Sequence, residues 1–218
     1  MTIERIRSRL LKVAGYLVPF VQSLPPLGIW TGLMTLPFAS YLIMIFANLP
    51  LNLPKALSDF FVPFLIPEKV FIIIGFLIFV YSVAYLIIKR KKGLVTSGPY
   101  SLVRHPQYLG MILLTLGLTS WSYYELTNFF GIGFLSPSQT IGVWFAELFV
   151  YILLAYIEEM YLSKNYRESF DNYENRVPLL IPFIRTNRKE LDILISIIIP
   201  AILLSGLIIL QPRAPVFL

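Results

Sequence analysis

The stretch VFIIIGFLIFVYSVAYLII, Val70 to Ile88, carries no charged side chain. At 1.5 Å per residue, a helix over it nearly crosses a hydrocarbon core of about 30 Å. An uncharged apolar run of this length marks a transmembrane helix. The basic run Lys89, Arg90, Lys91, Lys92 follows at once. Three further stretches share this character: Leu27–Leu49, Thr140–Ile157 and Leu191–Leu210. Tyr108–Tyr124 is less strictly apolar and makes a fifth span. Leu11–Leu24 is short, holds Pro19 and ends at Pro25-Pro26. It reads as an interfacial or re-entrant helix, with a tight hairpin into the first span as the alternative. The expected fold class is all-α: an integral membrane helical bundle of about five transmembrane helices, with an N-terminal interfacial helix and a cytoplasmic amphipathic helix.

The composition agrees. The 218 residues are 57% hydrophobic and 14% charged, with a mean hydropathy of +0.74. A soluble domain of this size could not hide that much apolar surface. Cysteine is absent, which excludes disulfides, thiolate metal sites and cysteine nucleophiles. The single histidine, His105, argues against a histidine-based metal site, so no metal is expected. The formal charge is +6. Its cations flank apolar segments, as expected beside anionic lipid headgroups and not on a nucleic-acid surface. Arg5, Arg7, Arg9 and Lys12 lead into an apolar stretch with no small-residue cleavage site, so no cleaved signal peptide is expected. No internal repeat or long linker divides the chain, which reads as one membrane domain, 1–218.

Charge sets the orientation. Lys89, Arg90, Lys91, Lys92 and Arg104 share one loop; Lys164, Arg167, Arg176, Arg185, Arg188 and Lys189 share another. Two spans and the nearly uncharged loop Glu125–Gln139 separate them, so both basic loops are expected on the cytoplasmic side. The basic N-terminus then falls inside and the loop Pro50–Lys69 outside.

Each basic loop holds a polar segment with chemistry in it. The first is GLVTSGPYSLVRHPQYLG, Gly93 to Gly110. Gly98-Pro99 reads as a turn. Pro106 suits the first turn of a helix, where its missing N–H costs nothing. A helix N-terminus favours a carboxylate or phosphate, and Arg104 adds a forked donor there. His105 can donate or accept, and Tyr100 and Tyr108 offer flat surfaces. The set suits a ligand with an anionic end and a ring; interfacial anchoring is the competing reading.

The second segment, Ile157 to Phe183, is read as an amphipathic helix continuing the span before it. Leu162, Tyr166, Phe170, Tyr173 and Val177 fall on one face. Glu158, four residues before Leu162, is expected on that packed stripe, with Glu159 turned about a third of the way round. A packed carboxylate at a membrane edge needs a partner: Arg104, Arg176 or a bound cation. A purely structural ion pair is the alternative. Glu147, inside a span, is either functional or a protonated hydrogen-bonding group.

Together these segments resemble the isoprenylcysteine carboxyl methyltransferase family of integral membrane enzymes, whose broader relatives include phospholipid N-methyltransferases. The residues carrying the resemblance are LVTSGPYSLVRHPQYLG at 94–110, the pair Glu158-Glu159, and RVPLLIPF at 176–183, within a motif-bearing region 85–184. The resemblance implies S-adenosylmethionine as methyl donor, bound at the cytoplasmic end, with a lipidated or lipid-like substrate entering from the bilayer. It implies cofactor contacts from Tyr85, Lys92, Gly93, Leu94, Val95, Tyr100, His105, Pro106, Gln107, Tyr108 and Glu158. Leu154 stands where the prenylcysteine enzymes place an arginine toward the substrate carboxylate. Arg176 or Arg104 is the expected substitute, and with His105 these form the expected catalytic set.

The implied reaction is an in-line methyl transfer to the carboxylate of a prenylated cysteine. Such an acceptor is already ionised near neutral pH, so positioning and exclusion of water suffice. A phospholipid or small-molecule N- or O-acceptor is the alternative. Membrane sterol reductases carry a similar RHPxYxG element and bind NADPH, which makes a reductase a further reading. A lipid-binding or scaffold protein is the non-enzymatic one.

Overall fold

A computed structural model describes residues 35–44, 66–89, 93–128, 135–186 and 188–211. Two compact units divide the chain, residues 1–36 and 37–218. Apart from the first two residues of the first helix, everything described below belongs to the second unit.

The described secondary structure is helical throughout. In chain order it comprises α1 (Thr35–Met44), α2 (Ile66–Lys89), a 3₁₀ turn (Gly98–Ser101), α3 (Pro106–Asn128), α4 (Pro137–Tyr166), α5 (Glu168–Glu174) and α6 (Lys189–Leu210). Three of these, α2, α4 and α6, are long and apolar enough to cross a membrane. They contain the expected spans Val70–Ile88, Thr140–Ile157 and Leu191–Leu210. Helix α3 contains Tyr108–Tyr124 and has 23 residues, about 35 Å at the usual rise. Of the expected span Leu27–Leu49 only α1 is described, and Leu11–Leu24 lies outside the described residues.

Helix α3 is the centre of the bundle. It is buried on all sides, through Tyr108, Met111, Ile112, Leu116 and Tyr124 as well as Thr115, Thr119 and Ser120. Its antiparallel packing on α2 depends on small residues. A Cβ at Gly75 would lie 2.4 Å from the Leu114 backbone N, and one at Gly110 would lie 2.6 Å from that of Phe79. Lipid tails are as apolar as leucine, so membrane helices associate through such close backbone approach and through interhelical hydrogen bonds. The Tyr41 hydroxyl of α1 donates to the Thr115 carbonyl at 3.1 Å and meets the Thr119 hydroxyl at 2.7 Å. At the end of α3 away from the quoted motif, Ser120 donates to Glu68 of α2 at 3.0 Å. Gln211, just past α6, donates to the Ser120 carbonyl at 2.6 Å.

Local signals explain the helix ends. Pro106 opens α3, as its fixed φ allows. Ser136 caps α4 in a reciprocal arrangement: its side chain accepts from the Gln139 N–H, and the Gln139 side chain accepts from the Ser136 N–H.

The continuous amphipathic helix expected after the fourth span is not present. Helix α4 stops at Tyr166, and Arg167 takes a φ of 40°, a backbone region that side-chain-bearing residues seldom occupy. The short α5 then restarts at Glu168. Phe170, Tyr173 and Val177 still pack as one cluster with Leu94 and Leu162. The break throws Tyr166 out of that stripe, where it is exposed.

Candidate functional site

The site forms where the two polar segments meet at the start of α3. The backbone N–H groups of Arg104 and His105 donate to the carbonyls of Pro178 and Leu179, at 2.9 and 3.3 Å. The RHP turn and the RVPLLIPF stretch are therefore bound edge to edge. Tyr173 of α5 donates its hydroxyl to the Tyr100 carbonyl at 2.7 Å, closing the same junction from the other side.

Arg104 is the hub. It is 4% exposed. Its Nε donates to Glu159 Oε1 at 2.6 Å, and its Nη1 donates to the Glu174 and Val177 carbonyls at 3.0 and 2.9 Å. Its Nη2 makes no hydrogen bond and lies 3.8 Å from Asp192 Oδ2. The expectation of an arginine open to a ligand carboxylate meets a guanidinium already engaged by protein groups on two of its three nitrogens.

His105 is buried between two carboxylates. Its Nε2 is 3.3 Å from Glu159 Oε1, and its Nδ1 is 3.3 Å from Glu158 Oε2, off the line of a hydrogen bond. Burial opposes charging of the ring, but the carboxylates of Glu158 and Glu159 outweigh it and push its pKa up to about 9. At neutral pH the ring is a cation and both nitrogens carry protons. It stacks on Tyr108 at 5.4 Å, and Tyr108 in turn packs on Tyr151 at 5.5 Å.

The two glutamates exchange the places expected of them. Glu159 is the buried one, 2% exposed, whereas the Glu158 side chain is about 20% exposed. The reason is helical phase. The buried face of α4 runs through Trp144, Leu148, Tyr151, Ile152 and Ala155, and Glu159 continues it one turn later. Leu162 packs on the α5 cluster and not on the buried face of α4, so stepping one turn back from it selected the wrong member of the pair. The signal lay upstream, inside the span.

Other expected site residues are distributed as follows. Tyr85 reaches the loop, its hydroxyl 2.8 Å from Ser97 Oγ. Its ring lies against Gly98, where φ is +62° and a Cβ would come within 2.6 Å of the ring. Leu94 packs on the α5 cluster, while Gly93 and Val95 are half-buried beside it. Tyr100, Pro106, Gln107 and Tyr108 are buried. Gln107 is notable because neither its amide nitrogen nor its oxygen has a hydrogen-bond partner. Lys92 lies outside the described residues. Arg176 is exposed, and the carboxylates pair with Arg104, His105 and Lys189 instead. Glu147 is buried in α4 eleven residues before Glu158, about 16 Å away along the helix, and does not belong to this cluster.

Two contributors escaped the sequence reading. Lys189 Nζ is 2.7 Å from Glu174 Oε1 and 3.9 Å from Glu159 Oε2. Asp192 accepts from the Thr186 hydroxyl at 2.6 Å and approaches Arg104. The only signal for Lys189 and Asp192 was a pair of opposite charges, three residues apart, in the first turn of an apolar helix. A recess at this junction is lined by Arg104, Glu159, Lys189, Ile152, Tyr156, Leu179 and Ile193. Among the described residues no cluster of three or more histidine, aspartate or glutamate side chains is arranged to hold a metal ion.

Comparison with known proteins gives the family. The family model for phospholipid methyltransferases matches residues 60–169, half of the chain. The chain belongs to the phospholipid methyltransferase family. It is an integral membrane protein of that family, with the apolar helices the family name leads one to expect. Over 98 residues it is 34% identical to the protein-S-isoprenylcysteine O-methyltransferase of Schizosaccharomyces pombe, covering 44% of this chain and 36% of that one. Over 115 residues it is 30% identical to the nickel-cobalt-cadmium resistance protein NccN of Alcaligenes xylosoxydans xylosoxydans, covering 52% of this chain and 47% of the relative. The chain thus spans less than half the length of these curated relatives. No solved structure matches it. The family match takes in the RHP turn and the glutamate pair, and it stops before Glu174, Lys189 and Asp192.

Proposed function

We propose that this protein transfers a methyl group from S-adenosylmethionine to a lipid-like acceptor held in the membrane, with the site on the cytoplasmic side. The observation that carries the reading is the group of unsatisfied buried atoms around the first turn of α3. Both ends of the Gln107 amide lack hydrogen-bond partners, and beside them Nδ1 of His105 and Oε2 of Glu158 face each other at 3.3 Å without a hydrogen bond, at a junction that is otherwise closely bonded. Buried polar groups are rarely left without partners, so this set fits a ligand with donors and acceptors of its own. An ammonium suits Glu158, and a carboxylate suits the Gln107 amide and the His105 cation. Those are the groups of an amino-acid moiety, which S-adenosylmethionine carries.

When bound, S-adenosylmethionine supplies an electrophilic methyl group on a sulfonium. The protein's part is positioning. Arg104 and Glu159 hold the RHP turn against the α5 junction and so orient His105 and Gln107. Glu158, at the edge of the buried face, meets the ligand. Leu94, Val95, Tyr100 and Tyr108 exclude water from the same end. The carboxylate of a prenylated cysteine remains the leading acceptor, supported by the similarity to the Schizosaccharomyces pombe enzyme. Calorimetry on the full-length protein in lipid nanodiscs tests the reading. Micromolar S-adenosylmethionine binding, lost in Gln107→Leu and Glu158→Ala, is expected. Binding of NADPH in its place would overturn it.

A further inference from the structure

We infer that residues 168–182, the short helix α5 and the stretch after it, form a lid on the RHP turn, hinged at Arg167 and Phe183, and that this lid lifts to let the methyl donor in and its product out. This rests on the methyltransferase reading and adds to it how the site is reached.

A ligand that bonds to the Gln107 amide and the His105 ring has to touch them. Gln107, His105 and Tyr108 are each 1% exposed. The recess at the same junction has room for about one water. Part of the surround must therefore move to admit a molecule the size of S-adenosylmethionine.

The backbone points to the part that moves. Among the described residues, Arg167 and Phe183 alone combine a side chain with a positive φ, 40° and 66°. They stand at the two ends of the segment bonded to the RHP turn. Bulky residues seldom take this backbone region, and such strain persists only where the surrounding structure holds it. Lifting the segment lets both residues relax, which offsets part of the cost of opening. Both side chains are exposed, so no packing on them resists the turn. Between these hinges, α5 has seven residues, too few for a helix that is stable alone. The fastenings to the turn are hydrogen bonds. Tyr173 donates to the Tyr100 carbonyl, Arg104 to the Glu174 and Val177 carbonyls, and the Arg104 and His105 N–H groups to the Pro178 and Leu179 carbonyls. Water can replace such bonds at modest net cost. The Glu174–Lys189 ion pair adds a fastening at the rim. Phe170, Tyr173, Val177, Leu179 and Leu180 are buried, so the closed form predominates and opening is a minor excursion.

Hydrogen exchange read by mass spectrometry, on the full-length protein in phosphatidylcholine nanodiscs, tests the lid without a ligand. The amides of residues 168–182 should exchange together. Those of Arg104 and His105, whose acceptors lie on the lid, should exchange with them and well ahead of residues 111–120 in α3. Protection of Arg104 and His105 as strong as that of α3 would overturn the lid, because fraying of α5 alone leaves them covered. Arg167→Gly takes a positive φ without strain, whereas Arg167→Ala keeps the strain, so exchange should be slower in the glycine variant. Equal or faster exchange there would overturn the hinge. The chain has no cysteine, so a Glu174→Cys, Lys189→Cys pair can be bridged selectively by a reducible bis-methanethiosulfonate linker. Bridged before loading, the protein should take up S-adenosylmethionine at least about tenfold more slowly; bridged after loading, it should retain it through washing. Reduction should reverse both effects. Unaltered uptake and release in the bridged protein would overturn the proposal. Absence of S-adenosylmethionine binding before bridging would count against the methyltransferase reading, while hydrogen exchange still decides the lid.

Discussion

Helices α2 and α3 pack against each other and could hardly be less alike. The most apolar window of α2 has a mean hydropathy of 2.7, yet only 11% of it is buried within the protein. Helix α3 is more polar, falls outside the set of strongly apolar helices, and is buried nearly all round. In water this would be inverted. In a bilayer the solvent is hydrocarbon, so the greasiest surfaces face lipid, while the central helix can carry threonine and serine hydroxyls bonded to its neighbours. Hydropathy therefore finds the helices that face lipid and understates the helix that organises the site.

Substitutions at matched depths should break this contrast most sharply. Gly110→Leu on α3 drives a side chain into the α2 backbone at 2.6 Å. The strain should exceed the roughly 1–3 kcal/mol of ordinary overpacking. No monodisperse folded protein is expected on size exclusion. Ile73→Leu on the exposed face of α2 should be indistinguishable from wild type by the same measure.

Next in size is the junction at the start of α3. Arg104→Ala leaves Glu159 buried beside His105 without its 2.6 Å partner. Breaking a buried pair this way typically costs about 3–5 kcal/mol. A large drop in melting temperature is the expected outcome. Glu159→Gln should also destabilise, and clearly more than Glu158→Gln, because only Glu159 holds the Arg104 clamp. Should the two glutamine variants melt alike, the division of the pair into a clamp and a ligand-facing carboxylate is wrong.

A smaller effect should follow pH. The folded pKa of His105, about 9, lies above the 6.5 of a free imidazole. Its charged form therefore stabilises the fold fully below about pH 6.5, and that contribution fades as pH rises through 9. Melting temperature should fall across that window, and His105→Gln should flatten the fall. The smallest measurable loss is expected at the far end of α4. Ser136→Ala removes a helix cap and should cost about 1 kcal/mol without altering ligand binding at the opposite end.

Part of the site was legible without coordinates, and the boundary has physical causes. The turn at Gly98, the helix start at Pro106 and the clustering of Leu162 with Phe170, Tyr173 and Val177 follow from backbone preference and spacing, which are local. Tyr166 was misplaced because nothing in its neighbourhood announces the left-handed backbone at Arg167. Glu158 and Glu159 were interchanged because adjacent helical residues differ by 100°. A small error of phase selects the wrong carboxylate.

By itself, the sequence determined that the chain is an all-helical membrane bundle, and it singled out the RHP turn and the glutamate pair as candidate site residues. Those conclusions depend on apolar run length and on residue order, which a linear chain carries. Only the tertiary structure decided that Arg104 clamps the junction, that Glu159 is its buried partner, and that Lys189 and Asp192 of the last helix join the same ion-pair cluster. Those contacts join residues far apart in the chain, Arg104 with Glu159 and Asp192, and Lys189 with Glu159. They exist only because α3 sits at the centre of the bundle and brings its first turn against the ends of α4, α5 and α6.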